Sequence, residues 1–179
     1  IAYKNSIRDA LGEKIKRKLV RDLNLKVNEV RIVDVYTIDA DLPPDVLELI
    51  KKDGFCDPVT QVAYLNEPYP LVGDWAIEIG FKPGVTDNVG RTAKEVIEAI
   101  CGRKFKDNEG VYTSRVYMIW GELKERDVIR IAEDVLANTL IQNKRYKDRD
   151  SYLKDGGMGI YLPKQRVESS IQVETFDTE

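Results

Sequence analysis

The sequence predicts an α+β protein. It reads as a tandem repeat of a strand-helix-strand-helix-strand unit, with antiparallel sheets, helices packed on them and a pseudo-two-fold relation between the copies. Three observations predict this. Ile1 to Gly12 lies without a gap on Ile79 to Gly90 at an offset of 78: Ile, Lys, Asp and Gly coincide, and Tyr3/Phe81, Ile7/Val85 and Leu11/Val89 match in character. Further along, Val30, Val35 and Tyr36 fall on Val111, Val116 and Tyr117, and Gln61 on Gln142, at an offset of 81. Between these anchors, the same succession of alternating and helical apolar patterns occurs twice.

Ile1 to Lys4 reads as the tail of a strand, so the numbering is expected to start inside a longer protein or after a few trimmed residues. Asp9 caps a helix running to about Asn24. Leu11, Ile15, Leu19 and Leu23 recur every four residues, and the intervening Lys14, Lys16, Arg17 and Lys18 form a solvated face. Val30 to Ile38 is β-branched and aromatic on both parities, as in a central strand covered at least partly on both faces. Pro43 and Pro44 suit the start of a short helix, where no backbone donor is needed, and Gly54 ends it. Val59 to Leu65 is expected as a third strand. The first copy thus spans 1–66, and 67–74, with Pro68 and Pro70, is the linker.

The second copy spans 75–147. Trp75, Ile77, Ile79 and Phe81 alternate with Ala76, Glu78, Gly80 and Lys82, which predicts a half-buried strand. A turn at Pro83-Gly84 leads to a helix capped by Thr86 or Asp87 and running to about Cys101. Val111 to Trp120 is the second long strand, Lys124 to about Asn138 a helix, and Leu140 to Tyr146 the last strand. From Asp148 the charged Lys147–Asp150 run, the Gly156–Gly159 cluster and Pro163 predict an extended linker, 148–179, toward a downstream domain.

Composition narrows the chemistry. A net charge of −3 argues against a binder of nucleic-acid phosphates, whose domains are usually basic. No apolar run reaches the roughly 20 residues of a membrane span, and no signal peptide is visible. Cys56 and Cys101 sit at unrelated positions of the two copies and read as free thiols, consistent with a cytoplasmic protein. The absence of histidine removes the commonest general base and metal ligand.

The loop from Lys82 to Arg91 has glycines, a helix start and two cations, the ingredients of a phosphate cradle. It lacks the spacing of the known phosphate loops, and Asp87 at the cap would repel an anion. Asp34, Asp39, Asp41 and Asp45 lack the spacing of a calcium loop; Asp41 and Asp45 bracket a proline-started helix as caps would. Trp75, Trp120 and Tyr117 lie on strands, where packing is the default role. No catalytic, cofactor-binding or metal-ligating residue is assigned. The motif or interface candidates are Lys82, Gly84, Asp87, Gly90, Arg91 and Asn138, with Asp9 and Gly12 in the first copy.

Those residues carry a resemblance. Lys82-Pro-Gly-Val85, then Asp87-x-x-Gly90 opening a helix, then Leu136-Ala-Asn138 with Ile141 leading into a Tyr-containing strand, resembles PurS. PurS is the small subunit of phosphoribosylformylglycinamidine synthase (formylglycinamide ribonucleotide amidotransferase), a ligase of purine biosynthesis. The first copy carries a weaker version in Asp9-x-x-Gly12 and Asp57-Pro-Val-Thr-Gln61. Thr139 after Asn138 and Asn88 after Asp87 stand where the small subunit typically has Pro. Those departures suit the fused, diverged form, in which an N-terminal domain of a large synthase resembles two copies.

The resemblance implies a PurS-dimer-like fold and a non-catalytic scaffold that bridges a class I glutaminase and the synthetase domain and helps enclose the path of ammonia. It implies no cofactor in this segment, with ATP and Mg on the downstream synthetase domain. It leaves open whether the internal pseudo-dimer pairs further with itself. Two other readings of the residues stand beside it: a duplicated regulatory module that binds a small molecule between its copies, and an independent enzyme using carboxylates and lysines.

Overall fold

Strands with apolar residues on both parities need cover on both faces, and a computed structural model shows how this chain supplies it. The structure describes residues 1–163. In chain order the elements are β1 (Ala2–Tyr3), α1 (Ala10–Leu23), β2 (Val27–Asp39), α2 (Pro44–Leu49), β3 (Gln61–Val62), β4 (Trp75–Phe81), α3 (Asn88–Cys101), β5 (Gly110–Gly121), α4 (Glu125–Ile131), β6 (Gln142–Asp148) and α5 (Arg149–Lys154). Helices α2 and α4 each run on into a π-helical turn, Ile50–Gly54 and Ala132–Leu136.

The strands form one six-stranded sheet in the order β3-β1-β2-β5-β4-β6, antiparallel throughout. Its spine is the long β2–β5 ladder, in register from Glu29↔Trp120 to Asp39↔Gly110, with a bulge between Val27 and Glu29. Separate sheets packed on one another are therefore replaced by a single continuous sheet. Edge-to-edge union satisfies the N–H and C=O groups that two long strands would otherwise leave exposed.

Alternate residues of each strand face opposite ways. On one face, Val30, Ile32, Ile77 and Ile119 pack with Leu19 of α1 and with Val128 and Ile131 of α4. On the same parity of β2, Tyr36 and Ile38 pack with Leu42, Ile50, Ala93 and Ile97 beneath α2 and α3. Leu19 and Ile97 are fully buried, each worth about 1.5–3 kcal/mol relative to exposure. Each long helix thus shares its cluster with the short helix from the other end of the chain. On the opposite face, Val33, Ala76, Val116 and Met118 lie under Tyr69 and Tyr152.

That second covering explains several departures from the sequence-based expectations. β4 is not half-buried, because Ala76, Glu78 and Gly80 on its other parity are buried as well. Segment 67–74, expected as linker, packs on the sheet through Tyr69 and through Gly73, whose backbone lies against Ile119. Asp148, expected to begin an extended linker, ends β6 and caps α5, and Tyr152 of that helix is buried. The part of 148–179 after residue 163 lies outside the described residues. The third strand is only Gln61–Val62 and the last runs Gln142–Asp148, later than Leu140–Tyr146. In both cases the preceding residues form a hydrogen-bonded turn at Asp57 or Asn138. Helix α2 is capped by Pro43 and takes no side-chain cap bond from Asp41.

Candidate functional site

The candidate residues form two joints, each tying a helix start to the sheet. Before α1, Asp9 is extended and its Oδ1 accepts the N–H of Gly12 at 2.7 Å, an ordinary N-cap. Its Oδ2 reaches further and accepts the N–H of Ile32 on β2 at 2.8 Å. Before α3, Asp87 does the same: Oδ1 accepts from Gly90 at 2.7 Å, and Oδ2 from the N–H of Thr113 at 2.6 Å and its hydroxyl at 2.8 Å. Between Thr86 and Asp87, the cap is Asp87. Gly12 and Gly90 let the helices approach this closely, since a Cβ there would meet the carbonyl oxygens of Val30 and Val111 at 2.2 and 2.5 Å.

Lys82 reaches the turn that Asn138 opens. Lys82 Nζ donates to Thr139 O at 2.6 Å, while Asn138 Oδ1 accepts from Leu140 N and Asn138 N donates to Gln142 Oε1. Gly84 takes a left-handed φ of 83° in the turn. Arg91 is exposed on the first turn of α3. The structure therefore brings Asp87 to Gly90 and Asp9 to Gly12, and Lys82 to Thr139, the residue after Asn138, with the two joints on either side of the β2–β5 centre. The carboxylate oxygens of Asp9 and Asp87 are all engaged by backbone or hydroxyl donors. Such an arrangement holds elements in place.

Other polar clusters were not legible in the sequence, because their members meet only across the sheet. Glu78, 3% exposed, accepts from Ser114 Oγ at 2.6 Å and pairs with Arg145, whose guanidinium lies over the Tyr161 ring. Tyr161 donates to Phe81 O at 2.6 Å and covers Gly80. Together they strap residues 159–161 onto β4. Among the aspartates weighed as a cation site, Asp34 pairs with Arg115, Nε to Oδ1 at 2.7 Å. Cys56 and Cys101 are free and half-buried.

Glu109 ties the α3–β5 loop to the β2–α2 loop. It binds Arg103 through both oxygens and accepts from the N–H groups of Lys106 and Asp41, while Arg103 donates to Asp41 O. The Arg103 guanidinium, then the Lys106 N–H, lowers its pKa from 4.5 to about 2. A depressed carboxyl contributes stability that is present above its unfolded pKa and lost as pH falls toward its folded one. We expect the Glu109→Gln protein to show a flatter stability profile between about pH 4.5 and 2 than the parent, measured by thermal melts across that window. Identical profiles would show that this cluster is not linked to folding.

Among the described residues, hollows open to solvent include one beside Leu49, Cys56 and Pro58 and another beside Val20, Asn24 and Glu122. No helix among the described residues is long and apolar enough to cross a membrane. No protein-family model matches the chain, and no curated protein matches it.

Proposed function

We infer that the chain is two fused PurS-like copies acting as the non-catalytic scaffold of a phosphoribosylformylglycinamidine synthase, holding a class I glutaminase against the synthetase and helping to enclose the path of ammonia. The resemblance at Lys82-Pro-Gly-Val85, Asp87-x-x-Gly90 and Leu136-Ala-Asn138 supplies the activity. The observation that carries the reading is a bond-for-bond correspondence between the two halves.

Lys4 Nζ donates to Pro58 O and Val59 O as Lys82 Nζ donates to Thr139 O. Gln61 Oε1 accepts from Asp57 N as Gln142 Oε1 accepts from Asn138 N. The Asp9 and Asp87 joints match, Asn24 and Gly102 end α1 and α3 in the same left-handed conformation, and the sheet order has the same form from either edge. Four of the residues shared by both copies, the Lys, Asp, Gly and Gln, thus have the same geometric job twice. That is what a retained scaffold needs, and it asks for no reacting group.

The turns built this way hold Val59 and Leu140 out to solvent, at 76% and 84% exposure. These are the contact positions we assign to the partner proteins, since large apolar side chains this exposed suit an interface. The protein is expected to co-elute with a class I glutaminase and a synthetase partner in gel filtration. Val59→Glu with Leu140→Glu is expected to weaken that capture about tenfold or more without changing the melting temperature by more than about 2 °C. Absence of any co-elution by the parent chain overturns the scaffold reading.

A further inference from the structure

When two strands pair antiparallel about a two-fold axis, only the residue on the axis meets its own equivalent. Asp34 and Arg115 are register partners, and they are 81 residues apart, the offset that relates β2 to β5. The pairing is symmetric around them: Val33 faces Val116 and Val35 faces Ser114, so each partner is the equivalent of the other's neighbour across the axis. In a dimer of identical copies this place sets like against like. Here it sets a carboxylate against a guanidinium, 2.7 Å apart, with both side chains 42% exposed.

We propose that Asp34 and Arg115 form a pairing lock that selects union of the chain's first half with its second half and disfavours union of β2 with β2, or of β5 with β5, from another copy. The proposal rests on the reading of the two halves as related copies. At this exposure the attraction itself is modest. The selectivity comes from contrast, because directly opposed like charges destabilise an antiparallel pair and both wrong unions contain them: Asp34 against Asp34, and Arg115 against Arg115. Every other place along the ladder pairs residues of two different positions, so a single charge pair discriminates this way only at the axis.

The test uses the full chain. Asp34→Arg and Arg115→Asp each oppose like charges at the centre and are expected to lower the melting temperature by about 3–8 °C at low salt. Asp34→Arg with Arg115→Asp together are expected to return it to within about 2 °C of the parent, with the single-variant losses shrinking in about 1 M salt. Additive losses in the double reversal overturn the lock. The neutral pair Asp34→Leu with Arg115→Leu keeps the centre filled and supplies a second readout if a single reversal fails to fold. After refolding at high concentration it is expected to give a larger dimer fraction than the parent by light scattering, and an unchanged fraction overturns the lock. Both readouts concern pairing alone. Their failure with glutaminase capture intact removes the lock and leaves the scaffold, and the reverse result removes the scaffold and leaves the lock.

Discussion

Replacing Asp87 with Ala is expected to cost about 2–4 kcal/mol of stability, and replacing Asp9 about as much. The estimate has two parts. Loss of an aspartate N-cap costs about 1 kcal/mol. The same carboxylate also satisfies a strand N–H beneath the helix, part-buried at Thr113 in one joint and buried at Ile32 in the other, and stranding a donor removed from water costs about 1–3 kcal/mol. For a chain of this length the sum corresponds to a fall in melting temperature of about 4–16 °C. Asn at either place keeps an amide oxygen for one of the two backbone donors and is expected to recover part of the loss. Urea titration of the parent, Ala and Asn proteins measures this; a loss under about 1 kcal/mol in the Ala variants would mean the aspartates are helix caps only.

The sequence carried one half of this joint and hid the other. Asp9 and Asp87 are legible as caps because a cap acts on residues three positions away, and Gly12 and Gly90 sit at that spacing. Their second bonds reach Ile32 and Thr113, 23 and 26 residues on, where no local pattern points. The helices and long strands were legible for the same reason, since periodicity reports one element against its own core. Cover on the second face was not. Glu78 and Gly80 look like solvent positions in an alternating strand, and only the return of Tyr152 and Tyr161 over them makes that parity buried. The short edge strands moved because Asp57 and Asn138 draw the residues after them into side-chain-bonded turns before pairing can start. The offset of 81 read in the sequence relates the positions that face each other at Asp34 and Arg115, but register between strands so far apart depends on what each finds to pair with.

Gly12→Ala sets helix propensity against a close backbone contact, and the contact is expected to win. Within a helix, Ala is favoured over Gly by about 1 kcal/mol, a figure that already contains the lower entropy of its unfolded chain. Judged on α1 alone the change should therefore stabilise. A Cβ at Gly12, however, would stand 2.2 Å from Val30 O and 3.0 Å from the Asp9 carboxylate. The obstacle is a carbonyl of the central ladder, which cannot rotate aside as the tip of a side chain could. The helix must lift instead. Lifting it costs about 1–3 kcal/mol of overpacking strain and weakens the Asp9 bond to Ile32 N, worth about another 1–3. The net expectation is a loss of about 1–5 kcal/mol, read from the urea midpoint at constant slope. Gly90→Ala, with its nearest oxygen at 2.5 Å, is expected to lose less than Gly12→Ala. A stabilised Gly12→Ala protein would place α1 higher off the sheet than 2.2 Å allows, and the Asp9 bond to the strand would go with it. The glycine and aspartate variants thus test one geometry from two sides, and only a helix start pressed onto the strand backbone makes both substitutions destabilising.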